Sequence, residues 1–108
     1  MYDIIYIGGG LNYAGAIVAA KHGLKVALIE TSLDQLGGVC LHKGCIPSKM
    51  FLHHANTIRQ SKESVFTGDI MLDMQLLTAK KNKLIKSATK AVTAQCAQLE
   101  LIEGKGHL

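Results

Sequence analysis

Residues 2–10 read YDIIYIGGG, a mostly apolar run that ends in three glycines. Isoleucine and tyrosine favour strands, and no polar alternation follows Asp3, so the run predicts a buried parallel strand. Residues 13–22 are rich in alanine and predict a helix, with Gly23 placed at its C-terminal end. Residues 25–29 predict a second strand. Strand, glycine turn, helix and strand together form a βαβ unit, which indicates an α/β fold.

The rest of the chain predicts two helices and one further strand. Residues 31–39 are expected to form a loop, and a helix is expected from about Cys45 to Ser61. A longer helix begins after Asp73, a residue type that suits an N-cap, and runs to about Ala97. Residues 99–102 form a short strand candidate. Apolar residues along one side of the longer helix and just beyond it are expected to face the core: Leu77, Leu84, Ala88, Val92, Cys96 and Leu99.

The composition indicates one globular, soluble domain. The 108 residues are 48% hydrophobic and 19% charged, which excludes a disordered chain. The formal net charge is +4, and much of it lies in the lysines of residues 80–90, which we interpret as a solvated helix face rather than a nucleic-acid site. A basic adaptor that uses this face remains an alternative. No apolar run approaches the roughly 20 residues of a membrane span, and no signal peptide is expected, so a cytoplasmic location is predicted.

The glycine turn and an acidic residue further along indicate a dinucleotide site. Gly8 and Gly10 stand where a pyrophosphate would approach a helix N-terminus. Glu30 ends the second strand about 20 residues further on, where its carboxylate can accept hydrogen bonds from both hydroxyls of an adenosine ribose and disfavours a 2′-phosphate. Tyr13 occupies the position of the third fingerprint glycine. Either the loop is one residue shorter, or Gly15 supplies the close contact between helix and strand. The alternative is a glycine turn in a flavodoxin-like sheet that binds nothing.

A second motif, GGVCLHKGCIPSK at residues 37–49, carries two cysteines. In an ideal helix the Cα atoms of Cys40 and Cys45 would lie roughly 8–9 Å apart, whereas a disulfide needs about 4.4–6.8 Å. If the two pair, the backbone must therefore leave the helix between them, and Gly44 is placed to allow this. Cys45 near a helix N-terminus, with lysines nearby, would have its thiolate favoured.

Residues 37–49 resemble the active-site segment of the FAD-dependent pyridine nucleotide–disulfide oxidoreductases. The sequence from Cys40 to Lys49 is most similar to that of the dihydrolipoyl dehydrogenases. Glutathione and trypanothione reductases usually have lysine at the position of Ser48, whereas mercuric reductases share Pro-Ser-Lys and remain an alternative. The resemblance spans the whole chain, including the segment 104–106, which resembles a further FAD contact. Val39 stands where threonine is common.

This resemblance implies an FAD site built from several parts of the chain. The implied pyrophosphate contacts are Gly8 and Gly10, and the implied ribose contact is Glu30. The other implied contacts line the cofactor or lie near its flavin ring: Gly37, Gly38, Val39, Cys40, Lys49 and Gly106.

The resemblance also implies catalytic roles for the two cysteines. Cys40 would be the thiol that exchanges with a small-molecule or lipoyl disulfide, and Cys45 the thiol that lies against the flavin. Electrons would pass between a substrate dithiol, the disulfide, FAD and NAD. Cys96 is interpreted as inert core. A zinc site that includes His42 and His53 is disfavoured because the spacing matches no common zinc module, so no metal is expected.

Residues 1–108 are therefore expected to form the N-terminal portion of a Rossmann-like FAD-binding domain, an incomplete one. The NAD and dimerisation domains of the family are expected to lie outside these residues, so the chain alone is expected to be inactive, and a full-length member is expected to be a homodimer. A non-catalytic flavin- or nucleotide-binding module is the alternative, although binding alone does not require two thiols.

Overall fold

The computed structural model describes all 108 residues. The strands are β1 (Ile4–Ile7), β2 (Val26–Glu30) and β3 (Glu100–Glu103). The α-helices are α1 (Asn12–Lys21), α2 (Gly38–His42), α3 (Cys45–Ser61) and α4 (Met74–Gln95). A single turn of 3₁₀ helix, Leu33–Gln35, precedes α2.

The three strands form one parallel sheet in the order β1-β2-β3. The predicted α/β fold is thus confirmed. In this register Ile7 lies beside Ile29, and Glu30 lies beside Glu103, so the carboxyl ends of all three strands meet at one edge of the sheet. The central strand β2 is the most buried, because it has a strand on both sides. This edge is where ligands bind in open α/β sheets.

The prediction of a buried first strand is wrong for one half of β1. Its parallel pairing with β2 is as expected, but β1 is an outer strand of the sheet, with a neighbouring strand on one side only. Ile5 and Ile7 are 55% and 40% exposed, because no other strand or helix of the 108 residues covers their side. An uninterrupted apolar strand is typical of a sheet that is covered on both faces. Within residues 1–108, one face of β1 has no such cover.

Helix α1 ends as the sequence predicts. His22 is its C-cap, and Gly23 follows at φ +85°, the left-handed conformation that glycine adopts at low cost. Ala16 is completely buried between α1 and the sheet. Gly15 lies beside the Tyr6 ring, but a Cβ there would be at an ordinary 3.5 Å, so this contact does not require glycine.

The segment 31–39, expected to be a loop, contains the 3₁₀ turn and the beginning of α2 at Gly38. That expectation is wrong because glycine pairs usually interrupt structure, whereas Gly37 and Gly38 here start a helix. Helix α3 has the predicted bounds, Cys45–Ser61. Helix α4 begins where predicted, since the Asp73 carboxylate accepts from the N–H of the second and third following residues at 2.9 and 3.0 Å.

The core lies between the sheet, α1, α2 and the C-terminal half of α4. Of the predicted apolar stripe, Leu77, Val92, Cys96 and Leu99 are buried, whereas Leu84 is 43% exposed. The buried residues of the core cluster are Ala16, Val26, Leu28, Leu36, Leu41, Val92, Cys96 and Leu99. No helix combines the length and the apolar character that crossing a membrane requires.

Candidate redox and dinucleotide site

The glycine turn leaves the N-terminus of α1 open. Gly8 follows β1 with φ +95°. The backbone N–H groups of Gly10, Leu11 and Asn12 donate to no group of the chain. Helix α1 has no capping side chain and no acidic residue in its first turn. Unpaired donors and the positive end of a helix dipole thus face the same space, which suits a phosphate-bearing ligand.

The side chain of Glu30, the last residue of β2, is hydrogen-bonded to this turn. Its Oε2 accepts from the Gly9 N–H at 2.6 Å, and its Oε1 accepts from the Thr31 N–H at 2.7 Å. Each carboxylate oxygen has two lone pairs, so both can still accept from a ligand hydroxyl. Gly9 is a further residue of this site that was not predicted: a Cβ on it would lie 3.0 Å from Glu30 Oε2 and 2.6 Å from Leu36 Cδ2. The run of three glycines does not by itself indicate that the middle one is sterically required.

The segment that carries the cysteines is docked on the glycine turn. The Gly37 N–H donates to the Gly9 carbonyl at 2.9 Å. Gly37 and Gly38 have φ of +96° and +69°, which favour glycine. A Cβ on Gly38 would lie 2.6 Å from the Gly10 Cα. The two glycine motifs found separately in the sequence therefore form one continuous backbone surface.

Cys40 and Cys45 are joined by a disulfide, with their Cα atoms 4.6 Å apart. Cys40 lies within α2, and Cys45 is the first residue of α3. The helix is interrupted at Gly44, which has φ −121° and ψ −111°. A Cβ on Gly44 would lie 2.9 Å from the Val39 carbonyl oxygen. The inference that a pairing of these cysteines needs a break at Gly44 is confirmed.

The two sulfur atoms lie in different electrostatic surroundings. Both cysteines are exposed, but only Cys45 is at the N-terminus of a long helix, and the first turn of α3 has no acidic residue. The helix dipole therefore favours a thiolate at Cys45 over one at Cys40. Lys49 follows Cys45 by one turn, is exposed, and makes no ion pair within the chain. Its role near a flavin stays a prediction.

The remaining predicted contacts lie around the same edge of the sheet. A Cβ on Gly106 would lie 2.8 Å from Ile7 Cγ2, so the chain after β3 crosses the end of β1. The Gly104 N–H donates to the Glu30 carbonyl at 2.9 Å and holds this crossing in place. Val39 is 73% exposed beside the disulfide. The structure thus brings the predicted glycines and Glu30 together at this end of the sheet, and Lys49 lies one helical turn beyond Cys45.

Cys96 is completely buried, and this burial raises the pKa of its thiol. It is a core residue with no disulfide partner, as predicted. The histidines and acidic residues form no group arranged to hold a metal ion.

Comparison with known proteins identifies the class. Residues 2–107 match the family described as pyridine nucleotide-disulphide oxidoreductase, and the chain belongs to this family. It is 38% identical to a dihydrolipoyl dehydrogenase of Bacillus subtilis, with 99% of this chain and 24% of that protein covered. It is 41% identical to a dihydrolipoyl dehydrogenase of Acholeplasma laidlawii, with 84% of this chain and 28% of that protein covered.

A solved structure shows the same fold. The Cu(II) complex of the HOCl-induced flavoprotein disulfide reductase RclA from Escherichia coli superposes with a TM-score of 0.79 at 27% identity. The match covers 99% of this chain and 22% of that one. The chain thus spans about a quarter of the length of the curated relatives that it matches. The fold is that of the N-terminal, Rossmann-like part of such flavoproteins.

Proposed function

We propose that this chain is the FAD-binding and disulfide-carrying part of a thiol–disulfide oxidoreductase of the dihydrolipoyl dehydrogenase type. One observation carries the proposal: an exposed disulfide, Cys40–Cys45, lies in a segment docked directly on the open N-terminus of α1. The similarity to dihydrolipoyl dehydrogenases supports the substrate class. The NAD site, and the dimer interface expected of a full-length family member, would lie outside residues 1–108.

The residues present fit an FAD. The unpaired N–H groups at the start of α1 would bind the pyrophosphate, with Gly8 and Gly10 leaving room for it. Glu30 would accept from the ribose hydroxyls, since its two oxygens are held by backbone N–H groups on their other sides. The remaining proposed contacts are Gly37, Gly38, Val39, Cys40, Lys49 and Gly106. When bound, the flavin supplies two-electron transfer between a dithiol and a nicotinamide.

The chain's own cysteines would perform the exchange with substrate. A thiolate of the substrate dithiol attacks Cys40 Sγ, the disulfide breaks, and Cys45 leaves as a thiolate. The second substrate thiolate then attacks the substrate sulfur bound to Cys40 and releases Cys40. The substrate becomes a cyclic disulfide, and the two cysteines take up its two electrons. Attack at Cys40 is favoured because the better leaving thiolate is the one stabilised by the helix dipole, which is Cys45.

The first test addresses FAD binding. A Cβ on Gly10 has its nearest neighbour at 3.9 Å, so Gly10→Ala fits the chain but narrows the space in front of α1. We expect about a tenfold or greater loss of FAD affinity in a titration followed by flavin fluorescence, with unchanged thermal stability. Gly15→Ala is the matched control, since a Cβ there lies within α1 and meets the Tyr6 ring at an ordinary 3.5 Å. Equal FAD affinity in both variants would contradict the proposed cofactor site.

The second test addresses the disulfide. Dihydrolipoamide added to the FAD-loaded polypeptide should convert Cys40 and Cys45 to thiols that alkylation and mass spectrometry detect. The Cys40→Ser variant should show no such substrate-dependent change. A chain that binds FAD but whose disulfide resists dihydrolipoamide and other dithiols would be a non-catalytic flavin module. A disulfide that responds to another reductant class alone would favour a glutathione- or mercuric-reductase-like substrate.

A further inference from the structure

The ring of His42 closes a hydrogen bond across the segment that carries Cys40. Its Nε2 lies 2.9 Å from the carbonyl oxygen of Leu36. A carbonyl only accepts, so Nε2 must carry a proton and donate it, which fixes the tautomer of the neutral ring. Cys40 lies between the two bonded residues in sequence. The bond therefore connects His42, at the C-terminal end of α2, to Leu36, which lies two residues before the helix begins.

Leu36 gives this bond a rigid partner. Its side chain is completely buried in the core and lies against the glycine turn at Gly9. The chain leaves α2 directly after His42: the Lys43 N–H donates to the Val39 carbonyl at 2.8 Å, and Gly44 then turns the chain into α3. His42 is thus the last residue of α2 before the chain turns toward Cys45.

His42 lies across a groove from α4. It is half-buried and lines, with Ile85 and Thr89 of α4, a groove of about 750 Å³ between α2 and α4. The other two ring–carbonyl bonds, from His22 and His54, lie within single helices and do not connect separate elements.

We propose that His42 is a positioning residue for the Cys40–Cys45 pair, which keeps the two sulfur atoms adjacent when the disulfide is reduced. The inference rests on the proposed function only in requiring that this disulfide turns over. Two thiols held close have a high effective concentration, which favours their disulfide over the reduced pair. Without the bond, the C-terminal end of α2 is held less firmly next to Cys45, and the disulfide becomes easier to reduce.

The experiment is a redox titration of the complete, FAD-loaded polypeptide against mixtures of reduced and oxidised dithiothreitol. Dithiothreitol gives two electrons and two protons to the Cys40–Cys45 disulfide and closes its own cyclic disulfide, and alkylation counts the protein thiols. For His42→Phe we expect the equilibrium to shift about threefold to tenfold toward the dithiol, the range that one hydrogen bond supplies. This corresponds to a potential higher by about 15–30 mV.

Two amide variants separate positioning from packing. Glutamine places an N–H close to the position of Nε2, so His42→Gln should titrate within about twofold of the wild type. Asparagine is one bond shorter and cannot reach Leu36, so His42→Asn should resemble His42→Phe. The matched control is His54→Phe, which removes a ring–carbonyl bond of 2.8 Å to Met50 inside α3 and should leave the potential unchanged.

Equal potentials in the wild type and His42→Phe would overturn the inference. If His42→Phe fails to fold, the comparison of His42→Gln with His42→Asn decides instead, and equal potentials in these two variants would overturn it. A wild-type disulfide that does not exchange with dithiothreitol would overturn the proposed function and this inference with it. These outcomes are distinguishable because only the last one appears in the wild type.

Discussion

Gly38 and Gly10 touch through their backbones: a Cβ built on Gly38 would lie only 2.6 Å from the Gly10 Cα. Gly10 belongs to the turn in front of α1, and Gly38 is the first residue of α2, which carries Cys40. The neighbouring hydrogen bond from Gly37 to Gly9 reinforces the contact. The glycine turn and the segment that carries the cysteines therefore form one unit, and a change at their contact should disturb both.

Gly38→Ala is expected to destabilise the fold. A non-glycine residue at its φ of +69° costs about 1–2 kcal/mol, and a methyl group forced against backbone adds about 1–3 kcal/mol. Gly68→Ala is the control for the first cost alone, since Gly68 has φ +85° but nothing within 4 Å of a Cβ. Urea unfolding should show a larger loss for Gly38→Ala. Equal losses in the two variants would mean that the close contact is not rigid.

The two cysteines should differ in reactivity once separated. In Cys40→Ser the remaining thiol lies at the N-terminus of α3, whereas in Cys45→Ser it lies within the short helix α2. A helix dipole contribution of about 0.3–1 kcal/mol favours the first thiolate. Alkylation by iodoacetamide at neutral pH should thus be about twofold to fivefold faster for Cys45 than for Cys40. Faster alkylation of Cys40 would reverse the order of attack proposed for the exchange.

Asp73→Ala should loosen the start of α4. The Asp73 carboxylate accepts from the N–H groups of Gln75 and Leu76, so its loss leaves two helix donors without a partner. The expected loss in the free energy of unfolding is about 1 kcal/mol. Asp73→Asn should retain most of the stability, because asparagine is also a favourable N-cap residue. Asp69→Ala is a control, because Asp69 is exposed and caps no helix. A loss of equal size in the control would show that charge, not capping, is responsible.

Cys96 should make the fold less stable at alkaline pH. Burial raises its pKa above the ordinary value of 9.0, so the unfolded chain loses this proton more readily than the folded one. The free energy of unfolding should therefore be unaffected by Cys96 below about pH 9 and fall as the pH rises beyond it. Unfolding of the wild type and Cys96→Ala, compared between pH 7 and pH 10, checks this. An identical alkaline slope in both chains would contradict it.

Much of the architecture was predictable because local signals agreed with the tertiary structure. The alanine-rich α1, the Asp73 cap and the break at Gly44 each follow from the chemistry of single residues. The start of α2 was not predictable, because Gly37 and Gly38 carry no helical propensity and are fixed there by their contact with the glycine turn. That contact joins residues far apart in sequence, which periodicity does not reveal.

The placement of the predicted site residues at one end of the sheet was predictable, but their hydrogen bonds were not. Two glycine motifs and the acidic end of β2 indicated which residues to expect at the edge of the sheet. The docking of Gly37 on Gly9 and the bond from His42 to Leu36 depend on where backbone carbonyls point after folding. The exposure of Ile5 and Ile7 likewise depends on which elements cover β1, and the apolar pattern of β1 does not predict these elements.

The two backbone hydrogen bonds to Glu30 have a thermodynamic consequence for recognition. A free glutamate side chain loses up to about 1.5–2 kcal/mol of rotational entropy when it is fixed in one conformation. Here the N–H groups of Gly9 and Thr31 hold the carboxylate in the folded chain itself. The entropy is therefore lost during folding rather than on binding. A ribose diol bound as proposed would meet a carboxylate that is already fixed in position, and its binding would not carry this entropic cost.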